Sequence, residues 1–376
     1  MNKITTLLGL IALVCALPTA PQAAEKIAAT PRIQMAILLD TSNSMDGLIG
    51  QAKTQLWKIV NEFVSVERDG QRPDLEIALY EYGNDRLESG EGYIRMVLAL
   101  TTDLDKVSEE LFALTTNGGD EYCGKVIQAA AEGLKWSKSA DDYKVIFIAG
   151  NEAFTQGDVP YSSACKAAIE KGIIVNTIHC GSYDEGVSGK WKDGALLADG
   201  SYMNIDQDSK AVHIASPQDA EITRLGTELN TTYIPYGAAG KLGFENQKAQ
   251  DTNAKASAPG TNTQRSVAKG SANYRNTKWD LVDALKEDTV KLDDVKTEDL
   301  PEEMQKMTLE ERKAYIDTKS KERAAIQEKI SKLNTSRKKF VAEELKKLSE
   351  TGEDTLDAAM IRAIREQAES KKFELE

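Results

Sequence analysis

An acidic residue and two serines follow the first apolar run after residue 30, at alternate positions. The stretch reads AILLDTSNSM, so Asp40, Ser42 and Ser44 come directly after a run of apolar side chains. Because alternate side chains of an extended chain point the same way, the carboxylate and the two hydroxyls converge. One charged and two neutral oxygens suit a hard divalent cation such as Mg²⁺, which binds few protein carboxylates and keeps several waters.

Helix caps and calcium-binding loops also use Asp and Ser at such spacing. Asp and Ser are favoured residues at helix N-termini, and a helical pattern follows, so simple helix capping is an alternative role for this triplet. A calcium-binding EF-hand loop is excluded, because it needs Gly at its sixth place and Glu at its twelfth. Met45 and Gln51 stand at those places, and a predicted strand precedes the triplet.

The elements that position the triplet follow from strand-like and helix-like patterns that alternate over residues 30–237. IQMAILLD and KVIFIAG are continuous apolar runs, which indicate strands covered on both faces. DLEIALYEYG, YIRMVLAL and IIVNTIHCG predict further strands, and helical spacing separates several of them. We therefore predict an α/β domain with a doubly wound, mostly parallel sheet flanked by helices. In such sheets, functional groups gather at the carboxyl ends of the strands.

The motif and the order of elements together resemble the von Willebrand factor type A (VWA) family, over residues 32–236. LLDTSNS is similar to the DxSxS signature of that family's metal-ion-dependent adhesion site, in an exported bacterial type. The resemblance implies that Asp40, Ser42 and Ser44 bind one Mg²⁺ ion, with Mn²⁺ or Ca²⁺ as alternatives. It also implies a protein partner that completes the coordination with an acidic side chain.

The second and third loops depart from the family pattern. Asp120 follows two glycines in TTNGGDEYCG, where the family usually has a threonine, so it is the expected second-loop ligand. Capping of the next helix is the alternative for Asp120. The third loop, AGNEAF, lacks the usual aspartate. There Glu152 is the candidate to reach the ion directly or through water, Asn151 is the alternative that positions a water, and Phe154 is expected to be exposed.

Composition and motifs favour a binding protein over an enzyme. No GxSxG, HExxH or phosphate-loop signature occurs in the sequence. His179 and Cys180 are neighbours on a predicted strand, so they point to opposite faces and cannot form a catalytic dyad. The formal net charge of −13 argues against nucleic acid or an anionic membrane as partner. The alternative function is a structural or scaffolding envelope protein with a degenerate metal site.

The first 24 residues have the plan of a secretory signal peptide. Lys3 precedes an apolar stretch, and small residues lead to a cleavage point after Ala23 or Ala24. The stretch is too short for a transmembrane helix, so no transmembrane anchor is expected. These features predict export to the periplasm or the extracellular space.

Export also changes the interpretation of the cysteines. Cys123, Cys165 and Cys180 remain after cleavage of the signal peptide. An oxidising compartment favours one disulfide and one free thiol among them. Cys165 and Cys180 are the favoured pair, and Cys123 is the possible replacement for either partner.

Two regions follow the predicted domain. Residues 238–272 are rich in Ala, Asn, Thr, Gly and Ser, which predicts a flexible linker that protease cuts first. Residues 273–376 are predicted to be helical and partly similar to a coiled coil. There Thr308 and Glu311 have the spacing of a capping box, and Ile326 and Ile330 begin an apolar stripe. An intramolecular hairpin with a helix after Gly352 is expected, and self-association or a docked partner is the alternative.

Overall fold

A single sheet forms the centre of the protein. The computed structural model describes residues 30–64, 66–206, 213–348 and 356–374. Its six strands have the order β3-β2-β1-β4-β5-β6. The strands are β1 (Arg32–Asp40), β2 (Asp74–Tyr82), β3 (Ile94–Thr101), β4 (Tyr143–Gly150), β5 (Ile174–Cys180) and β6 (Tyr202–Ile205). β3 is antiparallel to β2, and the other neighbouring pairs are parallel, which confirms the predicted sheet class.

Helices cover both faces of this sheet, and further helices follow it. In chain order they are α1 (Asp46–Asn61), α2 (Leu104–Ala113), α3 (Cys123–Gly133), α4 (Tyr161–Glu170), α5 (Tyr183–Ser188), α6 (Trp191–Leu196), α7 (Asp219–Leu229), α8 (Gly237–Ala256), α9 (Thr261–Lys269), α10 (Leu281–Lys286), α11 (Glu302–Gln305), α12 (Leu309–Leu348) and α13 (Leu356–Ser370). Residues of α1, α2, α7, α9 and α13 share one core, and residues of α3, α4 and α6 share the core on the opposite face. None of the helices in the described ranges is long and apolar enough to cross a membrane.

Strand β1 positions the candidate site at the centre of the sheet. Ile33 and Met35 belong to one core and Ala36 and Leu38 to the other, which explains the continuous apolar run. β1 lies between β2 and β4, where the order of the strands reverses. The carboxyl ends of strands at such a reversal point form a crevice, and Asp40 stands at that end of β1.

The residues predicted to form a flexible linker, 238–272, are helical and largely packed. α8 lies against α2, and α9 lies against α1 and α7. Arg265 and Lys269 of α9 are buried and bind carboxylates of α2 and α8. The linker interpretation is therefore wrong, because these polar side chains find partners far away in sequence. Protease is not expected to cut first in these helices.

The C-terminal helices pack on the domain instead of on each other. Thr308 and Glu311 exchange side-chain-to-backbone hydrogen bonds, as expected for a capping box at the start of α12. Ile326 and Ile330 are buried in the same core as residues of α7 and α9. α13 lies against α1 and the sheet, where Gln367 accepts a hydrogen bond from the hydroxyl of Tyr143 at 2.9 Å. The expected hairpin between these two helices is therefore wrong.

The three cysteines of the described region are free and buried. Cys165 belongs to the core on one face of the sheet and Cys180 to the core on the other. The predicted disulfide between them is wrong, because the sheet separates the two thiols. Cys123 shares a core with Cys165, but it too is a free thiol. The predicted signal peptide, residues 1–24, lies outside the described residues.

Candidate metal centre

The chain turns sharply after β1 and brings three oxygen-bearing side chains together. Oδ1 of Asp40 accepts a hydrogen bond from the backbone N–H of Ser42 at 2.7 Å, which fixes the turn. The hydroxyl oxygens of Ser42 and Ser44 are 3.3 Å apart. Ser42 precedes a 3-10 turn (Asn43–Met45), but its side chain does not cap that turn. Simple helix capping by Ser42 is therefore wrong for this triplet.

A second carboxyl group, Glu121 in the loop before α3, lies beside Asp40. The Glu121 side chain is buried, and its carboxyl group lies close enough to Asp40 for the charge of Asp40 to raise its pKa. Oε2 of Glu121 accepts a hydrogen bond from the backbone N–H of Glu152 at 3.3 Å. The backbone N–H of Glu121 donates to Oε1 of Gln156 at 3.1 Å. The loop after β4 thus holds Glu121 in the crevice.

Two glycines make room for this pair of carboxyl groups. A Cβ atom at Gly83, just after β2, would lie 2.8 Å from both Oδ1 of Asp40 and Cγ of Glu121. Gly83 also has a φ of +78°, a left-handed conformation that favours glycine. A Cβ atom at Gly150, the last residue of β4, would lie 3.0 Å from Oδ2 of Asp40. The close approach of the loops therefore depends on residues without side chains at these two positions.

The two carboxyl groups are buried, and no positive side chain of the described ranges pairs with them. Burial raises the pKa of Asp40 to about 6, although hydrogen bonds with Glu121 and Ser42 act in the opposite direction. Burial, followed by the charge of Asp40, raises the pKa of Glu121 to about 9. Neither carboxyl group forms an ion pair with Lys, Arg or His of the described residues. Oδ2 of Asp40 is buried and meets no hydrogen-bond donor in the described part of the chain.

The other predicted site residues lie around this pair. Asp120 is exposed, accepts a hydrogen bond from the hydroxyl of Tyr122 at 3.2 Å and caps no helix. The exposed side chain of Glu152 accepts a hydrogen bond from Gln156 at 3.4 Å. In the described part of the chain, neither of these two carboxylates shares a hydrogen-bond partner with Asp40. Asn151 donates to the Ser44 hydroxyl at 3.2 Å, and its buried Oδ1 accepts no hydrogen bond from the described residues.

Phe154 anchors the loop that carries Asn151 and Glu152. Its ring is fully buried and lies 4.7 Å from the ring of Trp191, centroid to centroid. The indole N–H of Trp191 donates to the backbone oxygen of Glu152 at 2.8 Å. The expectation of an exposed Phe154 is therefore wrong. Its aromatic packing fixes the backbone that contacts Glu121.

The donor atoms of the crevice fit a hard divalent cation. Asp40, Glu121, Ser42 and Ser44 offer oxygens only, which suits Mg²⁺, Mn²⁺ or Ca²⁺ better than metals that prefer Cys and His. The orphaned Oδ2 of Asp40 is a buried atom that such an ion would satisfy. The described residues contain no group of three or more His, Cys, Asp or Glu side chains able to hold a metal. The fit therefore rests on two carboxyl groups and two hydroxyls.

Comparison with known proteins gives low similarity. No protein-family model and no curated protein matches the chain. The SpRpn10 VWA domain is 17% identical with a TM-score of 0.36, and the match covers 46% of this chain and 88% of that one. BatB from Bacteroides thetaiotaomicron is 18% identical with a TM-score of 0.36, at 46% and 90% coverage. An aerotolerance-related membrane protein from Bacteroides fragilis is 18% identical with a TM-score of 0.32, at 47% and 93% coverage. These values carry no information about function.

Proposed function

We propose that the protein is a binding module that engages a protein partner through one divalent cation at the carboxyl end of β1. The observation that supports this proposal is the buried pair Asp40 and Glu121, which meets no counter-charge among the described residues and leaves Oδ2 of Asp40 without a donor there. Mg²⁺ or Mn²⁺, with Ca²⁺ as an alternative, would be held by these two carboxyl groups together with Ser42 and Ser44. The ion would supply a positive centre that attracts an oxygen of the partner.

A binding role fits the exposure of the crevice better than catalysis does. Ser44 is exposed, so the ion can keep a water on that side which a partner can replace. Burial lowers the pKa of His179, and its ring packs against that of Trp191 at 5.7 Å, as expected for a structural histidine. The proposed module is exported, with residues 1–24 as its signal peptide. An acidic side chain of the partner is the donor that the VWA resemblance implies.

A scaffolding protein without an ion is the second candidate. Because the pKa of Glu121 is raised to about 9, this side chain can keep a proton near neutral pH and donate it in a hydrogen bond to Asp40. Such a hydrogen bond would close the crevice without a cation. The long helix α12 would then be the part that contacts other proteins.

Thermal unfolding with and without metal separates these candidates. An ion that binds only the folded state raises its stability by about 2.7 kcal/mol at a concentration 100 times the dissociation constant. We expect Mn²⁺ or Mg²⁺ to raise the melting temperature of the wild type relative to EDTA. The variant Asp40→Ala should not respond, and the control Asp120→Ala should respond like the wild type. Identical wild-type curves in metal and in EDTA would reject the cation site.

A further inference from the structure

We infer that the partner binds the ion with an uncharged oxygen, such as an amide, a hydroxyl or a backbone carbonyl, and not with a carboxylate. This inference rests on the proposed cation site and concerns the donor that completes it. Its basis is the placement of Glu121 beside Asp40, since a Cβ atom at Gly83 would lie 2.8 Å from both Oδ1 of Asp40 and Cγ of Glu121. An ion bound between the two carboxyl groups would displace the proton of Glu121, so this loop would contribute a full negative charge to the centre.

The charge count decides which donor is favourable. A divalent cation bound to the carboxylates of Asp40 and Glu121 and to the neutral hydroxyls of two serines has a net charge of zero. A third carboxylate would make the centre negative in a place where Asp40 is completely buried. Interaction between charges is strong in such surroundings, because water does not screen them. A neutral oxygen fills the open position without this repulsion.

The rim of the crevice carries charges of both signs. The backbone N–H of Glu152 donates to Oε2 of Glu121 at 3.3 Å, and the side chain of Glu152 is exposed. Asp46 and Arg86 each form a hydrogen bond with a threonine hydroxyl of the loop that carries Glu121. The rim therefore does not select the charge of the partner, and the charge count at the ion decides the donor.

The first experiment measures binding of Mn²⁺ alone, by electron paramagnetic resonance of the free ion. We expect Glu121→Gln to weaken binding by about tenfold or more, because one of two ligand carboxylates loses its charge. The control Asp120→Asn removes the same charge one residue earlier and should change the affinity by less than about twofold. Equal affinities for the wild type and Glu121→Gln would overturn the inference. Absence of Mn²⁺ binding by the wild type would instead overturn the proposed function itself.

The second experiment tests the donor, with acetate as the carboxylate probe and acetamide as the neutral probe. The relaxation rate of water protons reports the waters that remain on protein-bound Mn²⁺. For the Mn²⁺-saturated wild type, we expect acetate to change this rate no more than the same concentration of chloride does. Chloride is the control for ionic strength. Acetate should lower the rate for Mn²⁺-saturated Glu121→Gln, whose centre keeps a positive charge. If acetate displaces water from Mn²⁺ on the wild type more effectively than acetamide does, the inference is wrong. This comparison uses the wild type alone, so it holds even if Glu121→Gln cannot be saturated with Mn²⁺.

Discussion

Buried carboxylates in two regions of this protein differ in what neutralises them. Beneath α9, Arg265 contacts Asp105 at 2.6 Å and Asp251 at 2.7 Å, and Lys269 contacts Asp251 at 2.8 Å. At the carboxyl end of β1, Asp40 and Glu121 lie together without Lys, Arg or His among their described partners. Arginine and lysine side chains neutralise the first region, and none of the described residues does so in the second.

The pKa values show the consequence of this difference. Burial acts to raise the pKa of Asp251, but Lys269 and Arg265 bring it below its ordinary value. Burial raises the pKa of Asp40 to about 6, and no positive side chain reverses that effect. Burial favours the protonated form in both regions, but positive side chains outweigh it at Asp251 and not at Asp40. The first arrangement joins helices, and the second is suited to a cation from outside.

The largest expected effect on stability comes from removing the buried positive charge of Arg265 in α9. Arg265→Met removes the ion pairs of Arg265 and leaves Asp105 buried without its charged partner. We expect the free energy of unfolding to fall by about 3–5 kcal/mol in urea titrations. The control is Arg224→Met, because Arg224 is 56% exposed where it pairs with Glu221 and Glu228. That control should lower the free energy of unfolding far less, because water screens an exposed ion pair, and an equally small loss for Arg265→Met would contradict the comparison.

Neutralising one carboxylate in each region should change stability in opposite directions. Asp105→Asn weakens the pairing of a buried guanidinium, so we expect a loss of about 1–3 kcal/mol. Asp40→Asn keeps the oxygen that accepts the hydrogen bond from the backbone N–H of Ser42, but it removes a buried charge that has no described partner. Its free energy of unfolding should therefore rise by about 1 kcal/mol without metal. Urea unfolding in EDTA at pH 8 measures both changes. The same sign for the two variants would show that the regions do not differ as described.

The pair Asp40 and Glu121 should contribute less stability to the metal-free protein as the pH rises from 5 to 8. The pKa values of Asp40 (about 6) and Glu121 (about 9) in the folded state lie above their ordinary values of 3.8 and 4.5. These two groups therefore bind more protons in the folded than in the unfolded state, and their contribution falls by at most about 1.4 kcal/mol per pH unit for each proton. The difference in the free energy of unfolding between Glu121→Gln and the wild type should therefore shift in favour of the variant as the pH rises, in EDTA. A difference that stays constant across this range would contradict the assignment.

The smallest expected effect separates two adjacent acidic residues. Asp120→Asn alters an exposed side chain whose described partner is the hydroxyl of Tyr122. Its free energy of unfolding should stay within about 0.5 kcal/mol of the wild type at both pH 5 and pH 8. Urea titrations at the two pH values measure this change. A pH dependence altered as strongly as in Glu121→Gln would place Asp120 in the buried pair.

Features with local signals could be predicted from the sequence. The apolar run before Asp40 indicates a strand covered on both faces, because each position must be apolar when helices pack on each side. Thr308 and Glu311 predict the start of α12, since their hydrogen bonds span a single turn. The alternation of strand-like and helix-like patterns likewise predicts the doubly wound sheet, because helices must connect its parallel strands.

Features that depend on distant partners could not be predicted in this way. The composition of α9 suggests a linker. Only the structure shows that Arg265 binds Asp105, which lies 160 positions earlier in the chain. The sequence does not single out Glu121, because Asp120 stands one residue nearer to the two glycines and spacing alone does not say which carboxylate faces Asp40. Cys165 and Cys180 are close along the chain, but no sequence pattern shows that they lie on opposite faces of the sheet.

The most direct test of the cation site is the number of Mn²⁺ ions bound per chain at pH 8, counted by electron paramagnetic resonance. We predict one ion per wild-type chain, held by Asp40, Glu121, Ser42 and Ser44. The variant Asp40→Ala should bind none at the same free Mn²⁺ concentration, while circular dichroism confirms that it is folded. A wild-type chain that binds no Mn²⁺, or an Asp40→Ala chain that binds it equally well, would contradict the proposal that Asp40 and Glu121 bind a cation.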